Sequence, residues 1–125
     1  MTSGETAPVT NIQTSDHDGV LVAAISGELD MTSVDEVGTA LFEHLAKQPD
    51  GLVVELAVDF MGSSALSMLL ALYGRAQSEK VGFAIVATAV AAARPLMASA
   101  LTQVLPVAQS VDEAVKSIQE EREAV

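Results

Sequence analysis

Three short runs of Val, Ile and Leu, separated by longer segments with helical spacing, most constrain the fold of this chain. The runs are VLVAAIS (20–26), LVVEL (52–56) and FAIVA (83–87). Near-continuous apolar runs of this length are typical of strands that are buried on both faces of a sheet. Because helical segments alternate with them, they predict an α/β fold with a mixed sheet of four to five strands.

The segments around these runs predict the outer strands and the helices. VTNIQTS (9–15) alternates apolar and polar residues before a turn at 16–19, which predicts a hairpin from an edge strand into a central strand. VLPV (104–107) predicts a short edge strand, since proline is tolerated only at an edge. Start signals predict about four helices, which begin near Ser33, Ser63, Ala92 and Val111.

Three of these helix starts rest on particular residues. Ser33 and Ser110 are each followed three residues later by a glutamate, which is the spacing of a capping box. Pro95 has no N–H and clashes with the preceding turn unless it lies in the first turn of a helix. The third helix is therefore expected to begin near Ala92.

Length and composition predict a single compact domain. The chain has 125 residues, half of them hydrophobic, which is enough to bury a core. We assign residues 1–8 to a flexible N-terminal arm, residues 9–119 to the domain, and residues 120–125 to a frayed helix end.

The charge and the absence of cysteine restrict the partners and the compartment. A formal net charge of −11 argues against binding to nucleic acid or to an anionic membrane. Without cysteine there is neither a disulfide framework nor a thiolate metal site. The N-terminus lacks the apolar run of a signal peptide, and the uncharged stretch at 60–74 is too short and too polar to span a bilayer. These features predict a cytoplasmic protein.

A Gly-Ser-Ser sequence at 62–64 precedes the most apolar stretch of the chain. Ser63 is a candidate N-cap, and the free amides and partial positive charge of a helix N-terminus would also tolerate a phosphoryl group there. On a helical wheel one stripe is expected to face the sheet, and it contains Leu66, Leu69, Leu70 and Tyr73. Met68 and Leu72, with Ser64 and Arg75, are expected to point outward. That outer face is either a partner-binding patch or ordinary apolar surface.

Four segments resemble motifs of a known family. GELD (27–30) and FMGSSALSMLL (60–70) are similar to the Gly-Glu-Leu-Asp and Phe-Met-Asp-Ser-Ser-Gly-Leu-Gly motifs of the STAS domain, as found in bacterial anti-sigma factor antagonists. VGFAIVA (81–87) and ALTQVLPV (100–107) resemble its fourth strand and the end of its third helix. The resemblance implies a STAS-like fold.

The resemblance also implies a phosphorylation switch without a cofactor. The unphosphorylated protein would bind an anti-sigma factor, itself a serine kinase of the histidine-kinase-like ATPase fold, and so free a sigma factor. Phosphorylation would end that binding, and a metal-dependent phosphatase would restore it. The family's phosphoserine corresponds to Ser63, with Ser64 as second choice. The expected partner-binding residues are Asp30, Gly62, Ser63, Ser64, Met68, Leu72 and Arg75.

The chain departs from the family pattern at three places. Gly62 stands where the family has aspartate, Ala65 stands where it has glycine, and AVD (57–59) is one residue shorter than usual. These departures permit an alternative, a constitutive STAS scaffold or a small-ligand-binding module without phosphorylation.

Two further interpretations are weaker. A nucleophile elbow needs glycine two residues after the serine, and Leu66 occupies that position if Ser64 is the nucleophile. The only candidate bases would be His17 and His44. The Asp-His-Asp sequence at 16–18 is more simply a solvated turn than a metal site. We therefore expect binding, not catalysis.

Overall fold

The described part of the chain starts with a tight hairpin at one edge of the sheet. In the computed structural model, which describes residues 11–124, β1 (Asn11–His17) pairs antiparallel with β2 (Val20–Leu29). Asp18 and Gly19 have φ angles of 55° and 96°. Two consecutive positive φ angles are what a two-residue type I′ turn requires. The predicted hairpin is confirmed, although residues 9 and 10 of its first strand lie outside the described residues.

The remaining strands run parallel to β2. They are β3 (Gly51–Met61), β4 (Gly82–Ala87) and β5 (Val107–Ala108), and the sheet order is β1-β2-β3-β4-β5. The predicted mixed sheet is confirmed. β3 is longer than predicted, because the AVD segment continues the strand, with Val58 buried in the core.

In the described part of the chain, four helices cover the two faces of the sheet. The first three pack on one face, and they are α1 (Val34–Ala46), α2 (Ser63–Glu79) and α3 (Val90–Ala98). A short 3-10 turn (Leu101–Gln103) follows α3, and α4 (Val111–Ala124) packs on the other face. Each of the first three helices directly follows a parallel strand. Their N-termini therefore lie at the carboxyl edge of β2, β3 and β4, where the candidate site is found.

One of the two predicted capping boxes is wrong. The side chain of Ser33 does not cap α1, and its hydroxyl donates to the Glu28 carbonyl at 2.7 Å instead. The carboxylate of Asp30 accepts from the Ser33 N–H, which a capping box would pair with Glu36. The serine half of the second box is confirmed, since the Glu113 N–H donates to Ser110 Oγ at 3.1 Å. The Glu113 carboxylate accepts from the N–H of Gln109, one residue before the amide that the box predicts.

The third helix begins earlier than predicted. It starts at Val90, not near Ala92, so Pro95 lies in its second turn and the prediction of a first-turn proline is wrong. Ala89 is extended, and its carbonyl already accepts the first helical hydrogen bonds at 3.0 Å. Burial of Leu96 against the core offsets the hydrogen bond that proline cannot make.

The last helix is longer than predicted and is held at its C-terminal end. It continues through residues 120–124, the segment for which we expected fraying. The Arg122 guanidinium donates to the Asp50 carbonyl at 3.1 Å and to the Lys80 carbonyl at 3.5 Å. Across residues 11–124, none of the helices has both the length and the apolarity needed to cross a membrane.

Candidate functional site

The candidate site lies at the carboxyl edge of β2 and β3, where two predicted residues come together. Asp30 directly follows β2, and Gly62 directly follows β3. The Gly62 N–H donates to the Leu29 carbonyl at 2.9 Å, so the two strand ends are tied to each other. The structure thus places Asp30 next to the start of α2, as the family motifs imply.

The Asp30 carboxylate organises the turn before α1. Its Oδ1 accepts from the Thr32 hydroxyl at 2.7 Å, from the Thr32 N–H at 2.9 Å and from the Ser33 N–H at 3.1 Å. The bond from the Thr32 hydroxyl is the main reason that the pKa of Asp30 lies below its ordinary value. Desolvation of the carboxylate is the next largest effect and opposes the shift, whereas the bonds from the two amides and from the Ser33 hydroxyl add to it. Asp30 is therefore a fixed negative charge at neutral pH.

Gly62 and Ser63 start α2 without a side-chain cap. Gly62 is the N-cap, with an extended backbone (φ −92°), and Ser63 is the first helical residue. No side-chain hydrogen bond within residues 11–124 caps this helix, so the predicted N-cap role of Ser63 is wrong. The extended conformation of Gly62 shifts the helix start by one residue. The Ser63 side chain is exposed at the positive end of the helix.

Ser64 lies beside a groove between α1 and α2. Its hydroxyl is buried and finds no hydrogen-bond partner among residues 11–124. The groove has a volume of about 530 Å³, and its walls include Asp35, Phe42, Ser64 and Met68. The two adjacent serines therefore differ, because the Ser63 side chain is exposed to solvent and the Ser64 hydroxyl is not.

The predicted outer face of α2 is wrong. Met68 and Leu72 are buried, whereas Leu70, which we expected in the core, is exposed. The reason is the close packing of α1 on α2: a Cβ atom added to Gly38 would come within 3.2 Å of the Met68 sulfur. This contact turns the Met68 side of the helix inward. Met68 and Leu72 are thus core residues, not an exposed patch.

Arg75 also lies away from the edge. It is twelve positions after Ser63 on α2, which corresponds to about 18 Å along the helix. Its guanidinium pairs with the carboxylate of Glu79, one turn further on. The structure therefore separates Arg75 from the other predicted site residues.

Three exposed apolar residues lie at the same edge of the sheet as the predicted site, and none of them is among the residues predicted from the sequence. Met31 (80% exposed), Phe60 (49%) and Val90 (67%) lie within three residues of the ends of β2, β3 and β4. Because these strands are parallel, all three side chains belong to one edge of the sheet. The sequence feature that could have identified them is an apolar residue near the end of each parallel strand. We call Asp30, Met31, Phe60, Ser63 and Val90 the carboxyl-edge surface.

The weaker interpretations find no support in the geometry. His17 pairs with Val20 at the opposite end of the ten-residue strand β2, about 30 Å from the carboxyl edge. His44 lies in the last turn of α1, also away from that edge. In the described residues, no group of three or more His, Asp or Glu side chains could hold a metal ion.

Comparison with known proteins agrees with the arrangement of the strands and motifs. The sequence model of the STAS domain matches residues 11–114. The chain belongs to the STAS domain family. A relative named anti-sigma-F factor antagonist RsfB, from Mycobacterium tuberculosis, is 37% identical over 90 residues, which cover 68% of this chain and 70% of that protein.

Solved structures also resemble this STAS domain. A crystal structure of an anti-sigma factor antagonist from Mycobacterium paratuberculosis has a TM-score of 0.82 and 34% identity, and covers 89% of this chain and 95% of that one. The unphosphorylated form of the anti-sigma factor antagonist SpoIIAA has a TM-score of 0.62 and 18% identity, and covers 88% and 97%. The second similarity concerns the fold alone.

Proposed function

We propose that this STAS domain is an anti-sigma factor antagonist, which acts in the cytoplasm by binding and not by catalysis. The observation that carries the proposal is the exposed Ser63 side chain on the first residue of α2, next to the exposed apolar side chains of the carboxyl-edge surface. Exposed apolar residues around a polar centre are typical of a protein-binding site. The names of the mycobacterial relatives support the same assignment.

The proposed partner is an anti-sigma factor that is also a serine kinase of the histidine-kinase-like ATPase fold. Binding of this antagonist would release a sigma factor from it. The kinase would phosphorylate Ser63, and a metal-dependent phosphatase would remove the phosphoryl group. Ser63 is preferred over Ser64 as the acceptor because the hydroxyl of Ser64 is buried.

A phosphoryl group on Ser63 would change the charge of the surface without disturbing the fold. The N-terminus of α2 offers free amides and a partial positive charge to an anion. The group would add a charge of about −1.5 to −2 beside Asp30. If the partner's contacts with this edge are apolar or acidic, a penalty of about 3 kcal/mol would weaken binding by about a hundredfold.

Gly62 is compatible with phosphorylation, although the family has aspartate there. A Cβ atom at this position would meet Phe60 at 3.5 Å and the Leu29 carbonyl oxygen at 3.8 Å, which are ordinary contacts. The backbone of Gly62 is in a region open to any residue. The packing at the turn between β3 and α2 therefore does not require glycine at position 62. The absence of a side chain there leaves the Ser63 side chain accessible to a kinase.

The experiment that tests this proposal compares two substitutions at Ser63. Ser63→Asp should weaken binding of the cognate anti-sigma factor by at least about tenfold, whereas Ser63→Ala should preserve it. Ser78→Asp, at an exposed serine in the last turn of the same helix, is the matched control. Equal affinities for all three variants would favour the constitutive scaffold over the switch.

A further inference from the structure

The other edge of the sheet is only half covered. β5 consists of two residues, and it pairs with Ile85 and Val86 of β4. The first half of β4, from Gly82 to Ala84, has β3 on one side and no strand of residues 11–124 on the other. An edge strand without a neighbour leaves backbone donors and acceptors available to another chain.

The chemistry of proline explains why β5 ends where it does. The Pro106 carbonyl accepts from the Ile85 N–H at 2.9 Å. In this register the next donor would be the amide of residue 106, directed at the Phe83 carbonyl, but proline has no N–H. The Leu105 N–H is bonded to the Leu101 carbonyl at 2.7 Å and turns the chain away. The N–H and C=O of Phe83 therefore face the open side of the sheet.

An acidic groove runs along this open edge. It has a volume of about 490 Å³ and lies between β4, β5 and α4. Three exposed carboxylates of α4 line it, those of Glu113, Glu120 and Glu121, against one cation, Lys116. Ala84 and Ile118 form an apolar part of its lining. The groove thus combines a free strand edge with negative charge along one wall.

We propose that this groove binds an extended, Lys- or Arg-rich polypeptide segment of a partner, which adds to the sheet beside β4. The segment would continue the line of β5, with hydrogen bonds to the backbone of Phe83. Alternate side chains of a strand point to the same face, so every second residue would face the carboxylates of α4. A second copy of this chain is a poor occupant, because each copy carries a net charge of −11. This surface is separate from the carboxyl edge.

The first test uses a capped peptide of alternating Lys and Val residues as the probe, with an alternating Glu and Val peptide as the control. Titration of the isotopically labelled protein, followed by amide NMR, should shift the signals of Phe83, Ala84 and Val107. Hydrogen exchange at the Phe83 amide should slow when the Lys peptide is bound. The Glu peptide should not bind. No binding of the Lys peptide, or shifts confined to the carboxyl-edge surface, would overturn the proposal.

Substitutions then distinguish the contribution of the α4 carboxylates to peptide binding from that of the strand edge. Replacing both Glu120 and Glu121 by Gln should weaken the Lys peptide about tenfold and reduce its salt dependence, since two exposed ion pairs are lost. The matched control replaces the exposed Glu36 and Glu43 of α1 by Gln and should change nothing. If both double substitutions weakened the binding of the Lys peptide equally, the proposal would be overturned, because the peptide would then be attracted by the overall negative charge of the protein.

Pro106→Val tests the strand edge itself. The new N–H should reach the Phe83 carbonyl, lengthen β5 and compete with the peptide, so that affinity falls while hydrogen exchange of the free protein slows near Phe83. Unchanged affinity despite this protection would overturn strand addition. Concentration-dependent dimerisation with protection at Phe83 would instead assign the edge to a second copy and also overturn the proposal.

Discussion

Met31→Ala is the most direct test of the carboxyl-edge surface, because Met31 contributes little to the fold. Its side chain is 80% exposed in the turn after β2. Substitutions at such positions usually change the free energy of unfolding by less than about 0.5 kcal/mol. Full burial of a methionine side chain contributes about 1.5–3 kcal/mol. Burial of the exposed part in a complex would therefore contribute about 1–2 kcal/mol, and its loss should weaken binding about 5- to 30-fold.

The chain offers a matched control for this prediction. Met97 is 70% exposed and lies in the last turns of α3, away from the end of that helix that faces the carboxyl edge. Met97→Ala should leave the affinity for the anti-sigma factor unchanged in isothermal titration calorimetry. Equal affinities of the wild type and Met31→Ala would refute the placement of the interface. An equal loss in Met97→Ala would show that the effect is not specific to this edge.

Three further predictions concern the residues that shape the site. Leu72→Ala should lower the free energy of unfolding by about 2–5 kcal/mol in urea titrations, because Leu72 is fully buried; a change below about 1 kcal/mol would contradict its inward orientation. Asp30→Asn should lower the free energy of unfolding at neutral pH. Because the folded state lowers the pKa of Asp30, it favours the ionised carboxylate, so the difference in unfolding free energy between the variant and the wild type should narrow as the pH falls below 3.8, the ordinary pKa of the carboxyl. A difference that does not depend on pH would contradict this reasoning. Gly62→Asp should stabilise the protein by about 0.5 kcal/mol as an N-cap, and faster phosphorylation of this variant by the kinase would show that the family aspartate is a recognition element.

The strands could be predicted from the sequence because their signal is local. The runs that correspond to β2, β3 and β4 are apolar over several consecutive residues. Such a run by itself predicts a strand that is buried on both faces of a sheet. Pro106 correctly indicated an edge strand, but β5 is Val107–Ala108, so the predicted bounds of 104–107 are wrong and the strand begins after the proline. The motifs at 27–30 and 60–70 likewise pointed to Asp30 and Ser63, which the structure places at neighbouring strand ends; their role in binding stays a prediction.

The orientation of α2 could not be predicted in the same way. This helix carries apolar residues around much of its circumference, so a helical wheel does not define one buried face. The choice depends on Gly38 of α1, where the absence of a side chain admits Met68, and this contact joins residues thirty positions apart. The capping box at Ser33 failed for a related reason, because the Asp30 carboxylate accepts from the Ser33 N–H, the amide that a capping box assigns to Glu36.

The measurement that tests the central claim most directly is the affinity of the phosphorylated protein. The chain would be incubated with the cognate anti-sigma kinase and ATP, the modified peptide would be mapped by mass spectrometry, and binding of both forms to the kinase would be compared. We predict an added mass of about 80 Da on Ser63, absent from Ser63→Ala, and binding about a hundredfold weaker. A stable complex with no phosphorylation of Ser63, or with unchanged affinity after it, would contradict the account.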